Sequence, residues 1–176
     1  SRLRRAEACP WRPGTDYRQG VTARSELGGG VILELVHELD LVAWLAAPVV
    51  EVGCLAQRVS ELEMDAEDLA VMTLRFASGA LGTVHLDCLD RVPVRIARVT
   101  GSDGSLVWDG LARTLAWRRA GGEWQRYEWS AVDRSGRFVE ELRCLLGCVR
   151  DGGRPPVDLD GAAATLRVAL AARRAA

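Results

Sequence analysis

Lysine is absent. All 23 basic residues are arginine, so any chemistry that needs an amine to shift its pKa or carry a proton must be supplied from outside this chain. Charge of one sign is lacking too: 24 acidic residues against 23 basic ones leave a net charge of -1. Without a broad positive surface to neutralise phosphates, nucleic acid is not expected as a partner. The five cysteines (Cys9, Cys54, Cys88, Cys144, Cys148) are odd in number and contain no Cys-x-x-Cys pair. That argues against a disulfide framework and a zinc cluster and fits a reducing, cytoplasmic setting. No apolar run approaches the roughly 20 residues that cross a bilayer. Ser1 to Arg5 is followed by Ala-Glu-Ala-Cys-Pro rather than an apolar signal core, so no membrane partner is expected. The chain opens without Met, and it is expected to begin inside a longer protein.

What is present is a chain of 176 residues, 48% hydrophobic, enough for one well-filled core, and residues 1–176 are expected to form a single domain. Leu3 to Ala8 reads as a strand and Cys9 to Gly14 as a loop. After Gly28-Gly29-Gly30, the apolar stretch Val31 to Leu45 has no internal Gly or Pro. It is too long for an ordinary strand, so its pattern predicts a helix closed by Pro48. Beyond Pro48 the period becomes two: Ala70, Met72, Leu74 and Phe76 alternate with Leu69, Val71, Thr73 and Arg75, and Ser78-Gly79 turns the chain into Val84, Leu86 and Cys88. Further strands are predicted at Val49 to Val59, Val94 to Thr100, Ser105 to Asp109, Thr114 to Arg119 and Trp124 to Trp129.

Phe138, Leu142, Leu145 and Val149 fall at helical spacing, and Asp160 is placed to cap a last, alanine-rich helix. Strands in a meander with helices at the ends predict an α+β fold: a two-layer sandwich in which helices cover one face of a large, open, mostly antiparallel sheet. The other face, with Trp108, Trp117, Trp124 and Trp129 on its strands, is a candidate surface for a homo-oligomer.

The predicted helix Val31 to Leu45 is apolar almost all round except for Glu34, His37, Glu38 and Asp40. Glu34, His37 and Asp40 are each three apart and would line one oblique stripe. Charges on an otherwise buried helix must be satisfied or in use. A cleft wall meets that need, with His37 as acid/base and a carboxylate one turn away to orient it. The pattern leaves a plainer role open, in which His37 and Asp40 only tie the helix to its neighbours. A zincin motif fails, because Leu41 stands where His-Glu-x-x-His needs its second histidine.

The run Gly28-Gly29-Gly30-Val31-Ile32-Leu33-Glu34-Leu35-Val36-His37-Glu38-Leu39-Asp40, then Trp44-Leu45, resembles the C-terminal domain signature of Gfo/Idh/MocA oxidoreductases. The resemblance extends through Trp11, Pro13 and Asp16-Tyr17-Arg18 upstream. Downstream it continues in Glu67-Asp68, the Phe76 to Gly79 turn, Gly101-Ser102-Asp103-Gly104 and Trp108-Asp109. The order and spacing of these pieces, rather than any one of them, are specific.

The resemblance implies an N-terminal Rossmann domain that binds NAD or NADP and a substrate held between it and this chain: a sugar, polyol or nucleotide-linked sugar. His37 would be the acid/base beside a lysine of the Rossmann half. Inositol dehydrogenase relatives carry an Asp four residues before this histidine, where Leu33 stands; Glu34 is the nearest replacement. Tyr17 and Arg18 match a loop near the substrate cleft, suited to a sugar hydroxyl and to a carboxylate or phosphate, and Asp40 would complete the substrate set. The expected activity is that of an NAD(P)-dependent oxidoreductase, inactive as this piece alone. The alternative is a non-catalytic binding or dimerisation module of the same fold.

The remaining features read more plainly. Gly28 to Gly30 is not a dinucleotide fingerprint, since Leu33 falls where its third glycine belongs; a flexible lead-in to the helix is expected. His85 and Asp87 share the polar side of a strand. Cys144 and Cys148, one turn apart, are given no function, and Arg91, Arg95 and Arg98 are interspersed with acids. Metal-dependent hydrolysis at Glu34, His37 and Asp40 would require a bound ion.

Overall fold

The computed structural model describes residues 16–130 and 134–176; the strand expected at Leu3 to Ala8 lies outside them. Three short 3₁₀ turns, Tyr17–Gln19, Val21–Ala23 and Ser25–Leu27, lead into α1 (Val31–Glu34) and α2 (Val36–Ala46). Seven strands follow: β1 (Val49–Gln57), β2 (Leu69–Phe76), β3 (Leu81–Asp87), β4 (Ile96–Gly101), β5 (Gly104–Asp109), β6 (Thr114–Arg119) and β7 (Gln125–Glu128). Two helices, α3 (Arg134–Asp151) and α4 (Leu159–Ala175), complete the α+β fold.

The strands form two antiparallel ladders, β1-β2-β3 and β4-β5-β6-β7. The chain divides accordingly into two compact units, one of the described residues up to Arg91 with Val157–Ala176, the other Val92–Pro156.

In the first unit, alternation sends Ala70, Met72, Leu74 and Phe76 of β2, with Val84 and Leu86 of β3, into the core. Val71, Thr73 and Arg75 face outward. The inward side chains join Val31, Ile32 and Leu39 from α1 and α2, each large one contributing roughly 1.5–3 kcal/mol by leaving water. On α4, Thr165, Ala169 and Ala172 share one buried face, and the two alanines let the helix approach β1 and α2 closely.

Asp68 sits at the start of this hairpin with no exposed surface. Its carboxylate accepts the Val59 N–H at 2.8 Å, the Ser60 N–H at 3.0 Å and the Ser60 hydroxyl. Its backbone bonds the Gln57 carbonyl and the Cys88 N–H, so one residue gathers the ends of β1, β2 and β3.

In the second unit, cross-strand pairing puts Ala97, Trp108, Leu115 and Tyr127 in one row and Val99, Leu106, Trp117 and Gln125 in the next. Opposed residues share a face, so one side of this ladder is largely apolar, with Gln125 on β7 and Arg119 at the end of β6 as its polar members. The other carries Arg98, Ser105, Arg118, Arg126 and Glu128. The stripe Phe138, Leu142, Leu145 and Val149 is present on α3, but these side chains are exposed.

Three local expectations are revised. The helix expected from Val31 to Leu45 is broken at Leu35, whose φ of -106° and ψ of 24° leave helical geometry. The cap of α4 is Asp158, which accepts the Gly161 N–H at 2.9 Å, while Asp160 lies in the first turn; the extended backbone of residue 158, before the turn begins, is what a cap requires. The glycine triplet is not a flexible lead-in. Gly30, at φ 101°, has the Glu67 carboxylate where a Cβ would stand, and a Cβ on Gly29 would strike the carbonyls of Val21, Thr22 and Arg24.

Replacing Asp68 by Ala leaves two part-buried N–H groups without acceptors and is expected to destabilise the fold by about 3 kcal/mol. Ser60→Ala is expected to cost about 1 kcal/mol; denaturant unfolding measures both. Acid sensitivity is expected at Asp87. Burial pushes its carboxyl up, but the N–H groups of Leu89 and Asp90 and the His85 ring outweigh this and hold it below its ordinary value of 3.8. The stabilisation is therefore complete above that value and is lost as pH falls through the lowered folded one. Asp87→Asn should flatten the pH dependence of the unfolding midpoint in acid, and an unchanged slope would exclude this.

Candidate functional site

α1 starts on Glu67. The Val31 N–H bonds the Glu67 carbonyl at 3.0 Å and the Ile32 N–H reaches Glu67 Oε1 at 3.4 Å. α2 ends at the opposite end of the ladder, where the Ser78 hydroxyl bonds the Ala46 carbonyl and the Ala77 N–H bonds that of Pro48. The first turn of α2, with His37, therefore lies toward the Glu67 end.

His37 is half exposed, with 52% of its side chain open to solvent, and its Nε2 stands 3.1 Å from Glu38 Oε1. An accessible imidazole beside a carboxylate is able to accept and return a proton at neutral pH. Glu34, partly buried, is the last residue of α1 and lies across the Leu35 break from His37. The break replaces the continuous stripe expected for Glu34, His37 and Asp40.

Asp40, also partly buried, has its Oδ1 bonded by the Thr165 hydroxyl at 2.9 Å. Neither Glu38 nor Thr165 was marked as a partner from sequence. Glu38 is adjacent to His37, a spacing that does not face it on a helix, and Thr165 lies 125 residues from Asp40.

Tyr17 and Arg18 both dock on Glu63. The Glu63 N–H donates to the Tyr17 hydroxyl oxygen at 3.0 Å, and Arg18 Nη1 donates to Glu63 Oε2 at 2.9 Å. Arg18 also grips Asp16 through Nε at 2.7 Å and Nη2 at 2.9 Å. These bonds from Asp16 and Glu63 hold the guanidinium charged and keep the Asp16 carboxyl below its ordinary range. Arg18 lines an open depression of about 550 Å³ with Arg24, Arg58, Glu63, Met64 and Asp65. His37, Glu34 and Asp40 do not line it.

The residues here do not fit a dinucleotide. The glycine triplet is preceded by a 3₁₀ turn rather than a strand. α1 is four residues long, and its first N–H groups are taken by Glu67, a carboxylate where a pyrophosphate would have to sit. Among the described residues no three His, Cys, Asp or Glu side chains are gathered to hold a metal ion. Cys54 and Cys88 are buried, Cys144 and Cys148 lie on α3, and His85, largely exposed, pairs with Asp87 at 3.0 Å. No helix among the described residues is long and apolar enough to cross a membrane.

The fold is shared with solved oxidoreductases. One is UDP-N-acetylglucosamine 3-dehydrogenase from Acidithiobacillus ferrooxidans, with a TM-score of 0.75 and 19% identity over 92% of this chain and 49% of that one. An oxidoreductase from Agrobacterium radiobacter in complex with NAD+, L-tartaric acid and magnesium has a TM-score of 0.76 at 17% identity, over 92% and 51%. Biliverdin reductase from Synechocystis, in complex with biliverdin and NADP+, has a TM-score of 0.70 at 21%, over 89% and 49%. The chain thus spans about half the length of these structures. No curated protein sequence matches it. The family model of the GFO/IDH/MocA C-terminal domain matches residues 2–107, more than half of the chain, which therefore belongs to the Gfo/Idh/MocA family.

Proposed function

We propose that residues 1–176 are the substrate-side domain of an NAD(P)-dependent oxidoreductase acting on a sugar, a polyol or a nucleotide-linked sugar, with His37 as its acid/base. The observation that carries this reading is the half-exposed imidazole at the head of α2, in a chain of a family whose solved members include nicotinamide-bound oxidoreductases. The sugar class follows the relative named as a UDP-N-acetylglucosamine dehydrogenase.

The work assigned to this chain is handling of the substrate proton and hydroxyls. His37 takes the proton of the reacting hydroxyl, with Glu34 as the nearest acid on α1. Tyr17, whose oxygen accepts from Glu63, retains its own O–H for a substrate oxygen. Asp40 retains the carboxylate oxygen that Thr165 does not take, and Arg18 retains guanidinium N–H groups beyond its ion pairs. The nicotinamide cofactor, NAD or NADP, is assigned to an N-terminal Rossmann domain, and no step through it is assigned to the residues here. The chain alone is then inactive, and the protein is cytoplasmic.

A second reading, a non-catalytic binding or dimerisation module, is favoured by Leu33 at the position of the family acid and by the ion pairs that occupy Arg18.

Turnover separates the two. In the protein that contains this chain, sugars and polyols offered with either nicotinamide are expected to give steady cofactor reduction. His37→Ala should lower kcat/KM by about 10²–10⁴-fold; no turnover with any of them, or turnover indifferent to His37, would favour the module. Self-association through the open sheet face is expected to give at least a dimer in light scattering at micromolar concentration, and a strict monomer would exclude it.

A further inference from the structure

The partner of His37 is not the one that helix geometry favours. On an α-helix, side chains three apart are neighbours, whereas adjacent ones diverge. Asp40 is three residues beyond His37, yet the ring nitrogen stands 3.1 Å from the adjacent Glu38. The reason lies on another helix: the Thr165 hydroxyl, 8% exposed as a residue on the buried face of α4, donates to Asp40 Oδ1 at 2.9 Å. That face is closely packed, because Ala169 and Ala172 beside it have no exposed surface. The bond therefore has little room to exchange for another.

The other charged groups on the packed elements are few. α1 carries Glu34, and α4 carries Asp160, Arg167, Arg173 and Arg174, of which Arg173 is drawn to Glu67 at 4.0 Å.

We infer that Thr165 is a positioning residue for His37: by holding the Asp40 carboxylate on α4 it assigns the imidazole to Glu38. Its bearing on catalysis rests on the acid/base reading of His37, but the assignment itself stands on the geometry of α2 and α4. A valine at 165 keeps the shape and removes the donor, releasing Asp40 toward the ring one turn away. A serine keeps the donor, and an asparagine at 40 keeps an acceptor for Thr165 without the charge.

Ring-nitrogen NMR on this chain tests it, since the sequence holds two histidines and His85 serves as an internal control. Thr165→Val is expected to shift the His37 signals and leave those of His85 in place. Thr165→Ser and Asp40→Asn should leave both where they are, and the double variant Thr165→Val/Asp40→Asn should return His37 to its original position. His37 signals that stay put in a folded Thr165→Val chain would overturn the inference, as would an equal shift in the double variant. Should Thr165→Val not fold, Glu38→Gln is expected to move the His37 signals more than Asp40→Asn does, and the reverse order overturns it. No turnover enters the measurement, so its result and that of the dehydrogenase assay fail independently.

Discussion

Two adjacent acids, Glu67 and Asp68, are the constraint on which the first unit rests. Asp68 spends its carboxylate inward, on the backbone of Val59 and Ser60, and so closes the long connection between β1 and β2. Glu67 spends its carbonyl and carboxylate on the opening of α1. A buried carboxylate is tolerated only when its oxygens are bonded, and here the bonds are made chiefly to main chain, joined by the Ser60 hydroxyl on Asp68 and by Arg173 at 4.0 Å from Glu67. The result is a junction of sheet ends and helix start built almost entirely from hydrogen bonds, which have directions that apolar packing lacks.

That junction decides what the site can be. The helix N-terminus, elsewhere a ready place for phosphate, is already occupied by the protein's own carboxylate. What remains open is the side of α2, where a histidine and its neighbouring acid meet solvent. An imidazole beside a carboxylate is a pair of groups suited to proton transfer. The chain spans about half the length of its structural relatives.

The alternation in β2 and β3 made the first hairpin legible, because burial on one face leaves a period of two that few other structures produce. β6 was legible to the residue. The division of the strands into two ladders was not, since strand propensity is local and says nothing about which strands pair. His37 stood out as the one titratable ring in a largely apolar run, although the pattern equally left it a purely structural tie. Its true neighbours did not: the tie from Asp40 to Thr165 spans most of the chain, and the hold of Glu63 on Tyr17 and Arg18 spans more than 40 residues. The cap of α4 was misplaced by two positions because both Asp158 and Asp160 are capping types, and only the backbone distinguishes them.

The interruption at Leu35 reaches beyond its single residue. In an unbroken helix the angle between two side chains follows from their separation in sequence, but across this peptide it is set by one pair of backbone dihedrals. Counting three or four positions back from the imidazole therefore ceases to name a direction in space. An acid at 33 or at 34 acquires its bearing toward the ring from the conformation of a leucine that itself takes no part in any chemistry.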